Sequence, residues 1–252
     1  MPAPLTLPRI SWGEPASPRR ALLVHGLGSS GALMWRLGDA LAVAGWHATA
    51  VDLRGHGDAP RSMDYTVSAY AADLVAALPA GGGPWDAVVG HSLGGAASAV
   101  AAASAPEWTR RLVLIDPAIL VEGRDANVIR KSQERAFTDP RVDTVRSEHP
   151  HWHPQDQELK VDAVLRASRW AVEQTSAQNR PWDVRADVAR LTVPTHVIGA
   201  DPAVYSLFTG PVADEVLAGN PGITMSVVAG AGHSLHRDKP DESIRQLLEA
   251  VT

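Results

Sequence analysis

The sequence predicts an α/β protein: a mostly parallel central sheet flanked by helices, with a helical insertion. Three observations lead there. Short apolar runs at 20–24, 47–51, 87–89, 111–116, 193–199 and 223–228 alternate with helix-like stretches at 33–44, 66–78, 95–105, 211–219 and 241–251. That rhythm implies βαβ units and parallel strands. One run passes directly through Gly90-His91-Ser92-Leu93-Gly94 into an Ala-rich helical stretch. From 117 to 190 the alternation stops and the chain turns polar and helix-prone.

Taken in order, 1–20 holds two short β-like pieces, Leu5-Thr6-Leu7 and Ile10-Ser11-Trp12, broken by Pro and Gly, which predict a pair of edge strands. The strand at 20–24 runs into His25-Gly26-Leu27-Gly28-Ser29-Ser30. In the helix that follows, Trp35, Leu37, Leu41 and Ala42 share one side, and Gly45 closes it. The strand at 47–51 ends in the turn-rich loop Asp52-Leu53-Arg54-Gly55-His56-Gly57-Asp58. The next helix takes Thr66 or Ser68 as its N-cap. The core is therefore predicted at 1–116 and 191–252, with a helical cap at 117–190.

Composition narrows the function classes. The 252 residues are 45% hydrophobic and 20% charged, as in a globular protein with a real core. A net charge of −5 argues against a nucleic-acid footprint. With no cysteine, disulfides, thiolate catalysis and Cys-ligated zinc are excluded. No run reaches the ~18 apolar residues of a membrane span, and Met1-Pro2-Ala3-Pro4-Leu5 lacks a signal-peptide pattern, so a cytoplasmic location is expected.

Strand, Gly-x-Ser-x-Gly, helix is the layout of a nucleophile elbow, with Ser92 at its tip. Such a turn strains the serine and brings its flanks together, so Gly90, Gly94 and Gly95 suit it. The hydroxyl then lies at a helix N-terminus, where developing negative charge is stabilised.

HGLGSS after an early strand, DLRGHG after the next, GHSLGG at the elbow, GADP after a late strand and GAGHSLH near the end together resemble the α/β-hydrolase superfamily. The likeness covers nearly all of the chain except the cap. It implies a triad in the order nucleophile, acid, histidine: Ser92, Asp201 and His233. Asp116, which follows the preceding strand, is the alternative acid, and Asp238 is a lesser one. His236 rivals His233 but reads as a polar residue of the last helix. The resemblance implies an oxyanion hole from the backbone N–H groups of Leu27 and Leu93, and it makes His25 a loop-holding residue.

A serine at the elbow implies acyl transfer to water, without metal or cofactor, on a small to medium ester or lactone. Carbon–carbon bond hydrolysis of the meta-cleavage-product type, thioester hydrolysis and a ligand-binding homologue without turnover are the alternatives. Trp35, Trp152, Trp170 and Trp182 are the bulky residues near a capped pocket, and the cap tryptophans suggest an apolar substrate. His149, His151 and His153 alternate in the manner of metal ligands on a strand, but Pro150 and Pro154 make an irregular cap loop the better reading. The expected partner is a small molecule, not nucleic acid or membrane.

Overall fold

The structure, a computed structural model, describes residues 2–252. Its elements run β1 (Arg9–Trp12), β2 (Arg20–Val24), α1 (Trp35–Val43), β3 (His47–Val51), α2 (Val67–Ala76), β4 (Ala87–His91), α3 (Leu93–Ser104) and β5 (Leu112–Ile115). A second stretch holds β6 (Leu120–Val121), α4 (Gly123–Thr138), α5 (Val142–Glu148), α6 (Pro154–Arg166), α7 (Arg169–Gln178), β7 (Trp182–Asp183) and α8 (Arg185–Ala189). The chain closes with β8 (Thr195–Ala200), α9 (Gly210–Gly219), β9 (Ile223–Val228), α10 (Leu235–Asp238) and α11 (Pro240–Ala250).

Seven strands form one sheet in the order β1-β3-β2-β4-β5-β8-β9, parallel except for the β1–β3 pair. Period-two alternation sorts the apolar side chains of these buried strands onto two faces. Leu22, Val24, Val88, Leu112 and Leu114 pack with α2, α3 and α9. Ala21, Leu23, Val89, Val113 and Ile115 pack with α1 and α11 through Leu37, Leu41 and Leu247. Strand order reverses where β3 and β4 lie on opposite sides of β2. The carboxyl ends of β2 and β4 at such a switch point are where open α/β sheets bind ligands.

Of the two predicted edge pieces, only the second joins the sheet, as β1. Leu5-Thr6-Leu7 makes no ladder; Leu7 is buried and the Leu5 N–H donates to Asp73. Helices α4 to α7 all fall between β5 and β8, in the predicted insertion. Leu120–Val121 pairs with Trp182–Asp183 at its base, a ribbon too short for period-two alternation to reveal. Val188 of α8 is buried in the core face that holds α3. No helix of the described residues is long and apolar enough to cross a membrane.

The Arg54 turn is anchored by a buried ion pair. Arg54 Nε and Nη2 donate to both oxygens of Asp73 at 2.7 Å, and Asp73 also accepts from Leu5 N. Both side chains are 1% exposed or less. Removing one partner strands the other charge, so Asp73→Ala is expected to lower unfolding free energy by about 3–5 kcal/mol. Urea denaturation measures it, and a loss below about 1 kcal/mol would deny the pair this role.

Candidate active site

Ser92 stands between β4 and α3 with φ 54° and ψ −117°, a strained conformation for a residue with a side chain. Its neighbours explain how the turn closes. A Cβ on Gly90 would come 2.5 Å from the Gly94 carbonyl oxygen, and one on Gly94 would collide with the Val24 carbonyl. The Ser92 N–H donates to Ile115 O, and the Ser92 carbonyl accepts from Ala96 and Ala118. Backbone bonds to β5 and α3 therefore hold the serine without using its hydroxyl.

That hydroxyl meets His233. Ser92 Oγ lies 2.9 Å from His233 Nε2, and His233 Nδ1 lies 2.6 Å from Asp116 Oδ2. The histidine follows β9, and its loop crosses over β8 to reach the serine. His91 Nε2 donates to the His233 carbonyl at 2.9 Å, a brace the motifs did not reveal.

The carboxylate beside His233 is Asp116; the predicted Asp201 does not reach it. Asp201 turns back on its own loop, accepting from Ala203 N at 2.8 Å in an Asx-turn and from Gly230 N at 2.7 Å. These contacts hold the carboxyl below its ordinary range and fasten the histidine loop from outside. Asp116 is fully buried, with φ 37°. It accepts from Ser206 Oγ at 2.6 Å and from Leu207 N and Phe208 N at 3.0 and 3.2 Å. Burial opposes its charge, but the hydrogen bond and charge of His233, with Ser206 and Leu207, outweigh burial and hold its pKa down. The loop at 206–208 gave no motif signal, because its N–H donors carry no side-chain signature.

Leu27 and Leu93 both line the cavity above Ser92, and neither backbone N–H has an acceptor among the described residues. His25 Nε2 accepts from Leu53 N at 3.0 Å, and its Nδ1 donates to Gly26 O at 2.7 Å. His56 Nε2 accepts from Gly28 N at 3.1 Å. Two neutral histidines thus hold the Leu27 loop. Burial lowers their pKa values to about 4 for His25 and about 3 for His56.

The cavity encloses about 430 Å³. Leu27, Val128, Ile129, Trp152, Trp182 and Val204 are apolar residues of its lining. Trp152 Nε1 donates to Asp238 at 2.6 Å, and Trp182 Nε1 to Ala118 O at 2.7 Å. Trp170 lies elsewhere: it is 41% exposed and packs edge-on against Tyr65, because its place at the start of α7 faces the Arg54 turn. Trp35 is also outside the cavity, binding Asp156 of α6.

The three alternating histidines separate. His149 stacks on Trp152 with ring centroids 3.9 Å apart, His151 meets Asp238, and His153 caps α6 by accepting from Gln155 N. The described residues contain no cluster of three potential metal ligands. Sequence reasoning missed Lys160 and Arg237, cations on the cavity wall. Neither belongs to a motif.

The family model for the alpha/beta hydrolase family matches residues 21–246. Lipase LipV of Mycobacterium tuberculosis is 38% identical over 109 residues, 43% of this chain and 41% of that protein. The chain therefore spans about two-fifths of that relative's length. Esterase YbfF of Escherichia coli is 28% identical over 78% of this chain and 79% of its own. 2-(Acetamidomethylene)succinate hydrolase of Mesorhizobium japonicum is 28% identical over 91% and 87%. Among solved structures, the N-formylmaleamic acid deformylase of Pseudomonas putida S16 superposes with TM-score 0.80 at 24% identity over 96% of each chain.

Proposed function

The chain belongs to the alpha/beta hydrolase family, and from that premise we propose that it is a serine hydrolase of a small to medium ester or lactone. The observation that carries this reading is the relay Ser92–His233–Asp116, with hydrogen bonds of 2.9 and 2.6 Å. The relatives named as lipase and esterase support an ester as the bond attacked.

A serine hydroxyl is a weak nucleophile until a placed base takes its proton. Here Ser92 Oγ attacks the carbonyl carbon while His233 Nε2 accepts the proton, and Asp116 fixes the tautomer with Nδ1 protonated. The N–H groups of Leu27 and Leu93 receive the developing oxyanion. His233 passes the proton to the leaving alkoxide, and the acyl group remains on Ser92. A water activated by the same histidine then releases the acid. Helices α4 to α7 act as the cap, and the apolar wall of Leu27, Ile129, Val204 and Trp182 takes the hydrocarbon part. An intact relay argues against a ligand-binding protein without turnover.

Hydrolysis of p-nitrophenyl acetate, butyrate and octanoate tests the reading. Ser92→Ala is expected to lower kcat at least about 1000-fold. Undiminished turnover in that variant removes Ser92 as nucleophile. The chain-length profile reports the reach of the apolar wall.

A further inference from the structure

One wall of the Ser92 cavity carries two cations that have no anionic partner. Arg237, in α10, is 4% exposed. Its Nε is buried without an acceptor, and its guanidinium makes no side-chain hydrogen bond or ion pair with the described residues. It lies over the Trp152 ring, 5.0 Å from the centroid. Lys160 reaches the same cavity from α6 and donates only to Gly28 O, at 2.9 Å.

The carboxylates nearby are committed elsewhere. Asp156 accepts from Trp35 and Arg36. Asp238 accepts from Trp152, His151 and Gly232 N. A buried charge left unpaired is costly, and proteins retain one chiefly where something else pairs it. Burial, with the neighbouring Arg237 charge, lowers Lys160 to about 8, still above neutral pH.

We propose that Arg237 and Lys160 receive an anionic oxyacid group of the substrate, a carboxylate or a phosphate, while its ester lies at Ser92. This rests on the hydrolase reading and adds to it the substrate class: an ester or lactone with an apolar segment and an anionic end. Arg237 offers a planar fork for two oxygens, and the Lys160 ammonium adds a point charge from a second element. The two come from separate segments of the chain, Arg237 from α10 after the histidine loop and Lys160 from α6 of the insertion, so one anion would join them.

The test compares p-nitrophenyl hydrogen glutarate with the neutral p-nitrophenyl valerate. The unmodified protein is expected to favour the anionic ester in kcat/KM. Arg237→Gln and Lys160→Gln each lower the anionic-to-neutral ratio at least about tenfold, mainly through KM. An unchanged ratio in both variants, or preference for the neutral ester in the unmodified protein, overturns the proposal.

Calorimetric titration with glutarate and with glycerol 3-phosphate, on unmodified protein and on each variant, needs no turnover. Binding that weakens at least about tenfold in the variants supports the proposal, and the tighter ligand identifies the anion. Binding of neither anion, or equal binding to all three proteins, overturns it. If neither ester is turned over but the anions bind as expected, the hydrolase reading fails and the anion site stands. Thermal melts of both variants certify folding, and Lys160→Gln, only partly buried, keeps the test decisive if Arg237→Gln unfolds.

Discussion

Asp116→Asn is expected to lower kcat for p-nitrophenyl butyrate by about 10,000-fold, while Asp201→Asn stays within about threefold of the unmodified protein. The asymmetry follows from position. Asp116 Oδ2 is 2.6 Å from His233 Nδ1, and the same carboxylate is locked by Ser206, Leu207 and Phe208. An asparagine turning its amide nitrogen to Nδ1 favours the tautomer with Nε2 protonated, which cannot take the Ser92 proton. Asp201 only fastens Gly230 and Ala203, so its loss loosens the loop without reaching the imidazole. The rates are to be read alongside circular dichroism melts, since Asp116 is buried. A large loss in Asp201→Asn with an active Asp116→Asn would return the acid's role to Asp201.

Acidification from pH 7 to 5 is expected to remove at least about 4 kcal/mol of stability, a large part of what a domain possesses. Four buried histidines are responsible. Burial is the largest cause in each: it lowers His25 to about 4 and His56 to about 3, and holds His91 and His236 well below the ordinary value. In the unfolded chain each titrates near 6.5. The unfolded state therefore binds more protons as pH falls through 6.5, while the folded state stays neutral, and stability is lost. By pH 5 His25 and His56 each contribute about 2 kcal/mol of this loss, and His91 and His236 add to it in the same direction.

Urea denaturation at pH 7 and pH 5 measures the difference. His236 gives a separable check, because neither of its ring nitrogens has a partner. His236→Leu is expected to retain stability at pH 7 and to lose less of it than the unmodified protein on going to pH 5. Equal stability at the two pH values in the unmodified protein would refute the account.

Much of this site was legible in one dimension, for local reasons. Ser92 was marked by a Gly-x-Ser-x-Gly pentapeptide between a strand and a helix, a short signal that gained its weight from the order of the family-like motifs around it. His233 sits in a run of small residues after the last strand, and the structure brings it to the serine. The strands 20–24, 47–51 and 223–228 match to the residue; the first two are buried past their first residue, while 223–228 forms the sheet's half-exposed edge. Trp152 and Trp182 do line the cavity, whereas Trp170 faces outward on a helix whose rotation no short pattern specified.

By itself, then, the sequence determined the α/β alternation, because it depends on neighbours within a few residues, and it marked Ser92 and His233 through motifs that resemble a known family. Only the tertiary structure decided between Asp116 and Asp201. Both are an Asp-Pro after a parallel strand, and the choice rests on a loop some ninety residues away offering Ser206 and two backbone N–H donors to one carboxylate and none to the other. It alone also placed Lys160 beside Arg237. Their partnership joins an insertion helix to the histidine loop, and contacts between segments so distant in the chain leave no local periodicity to read.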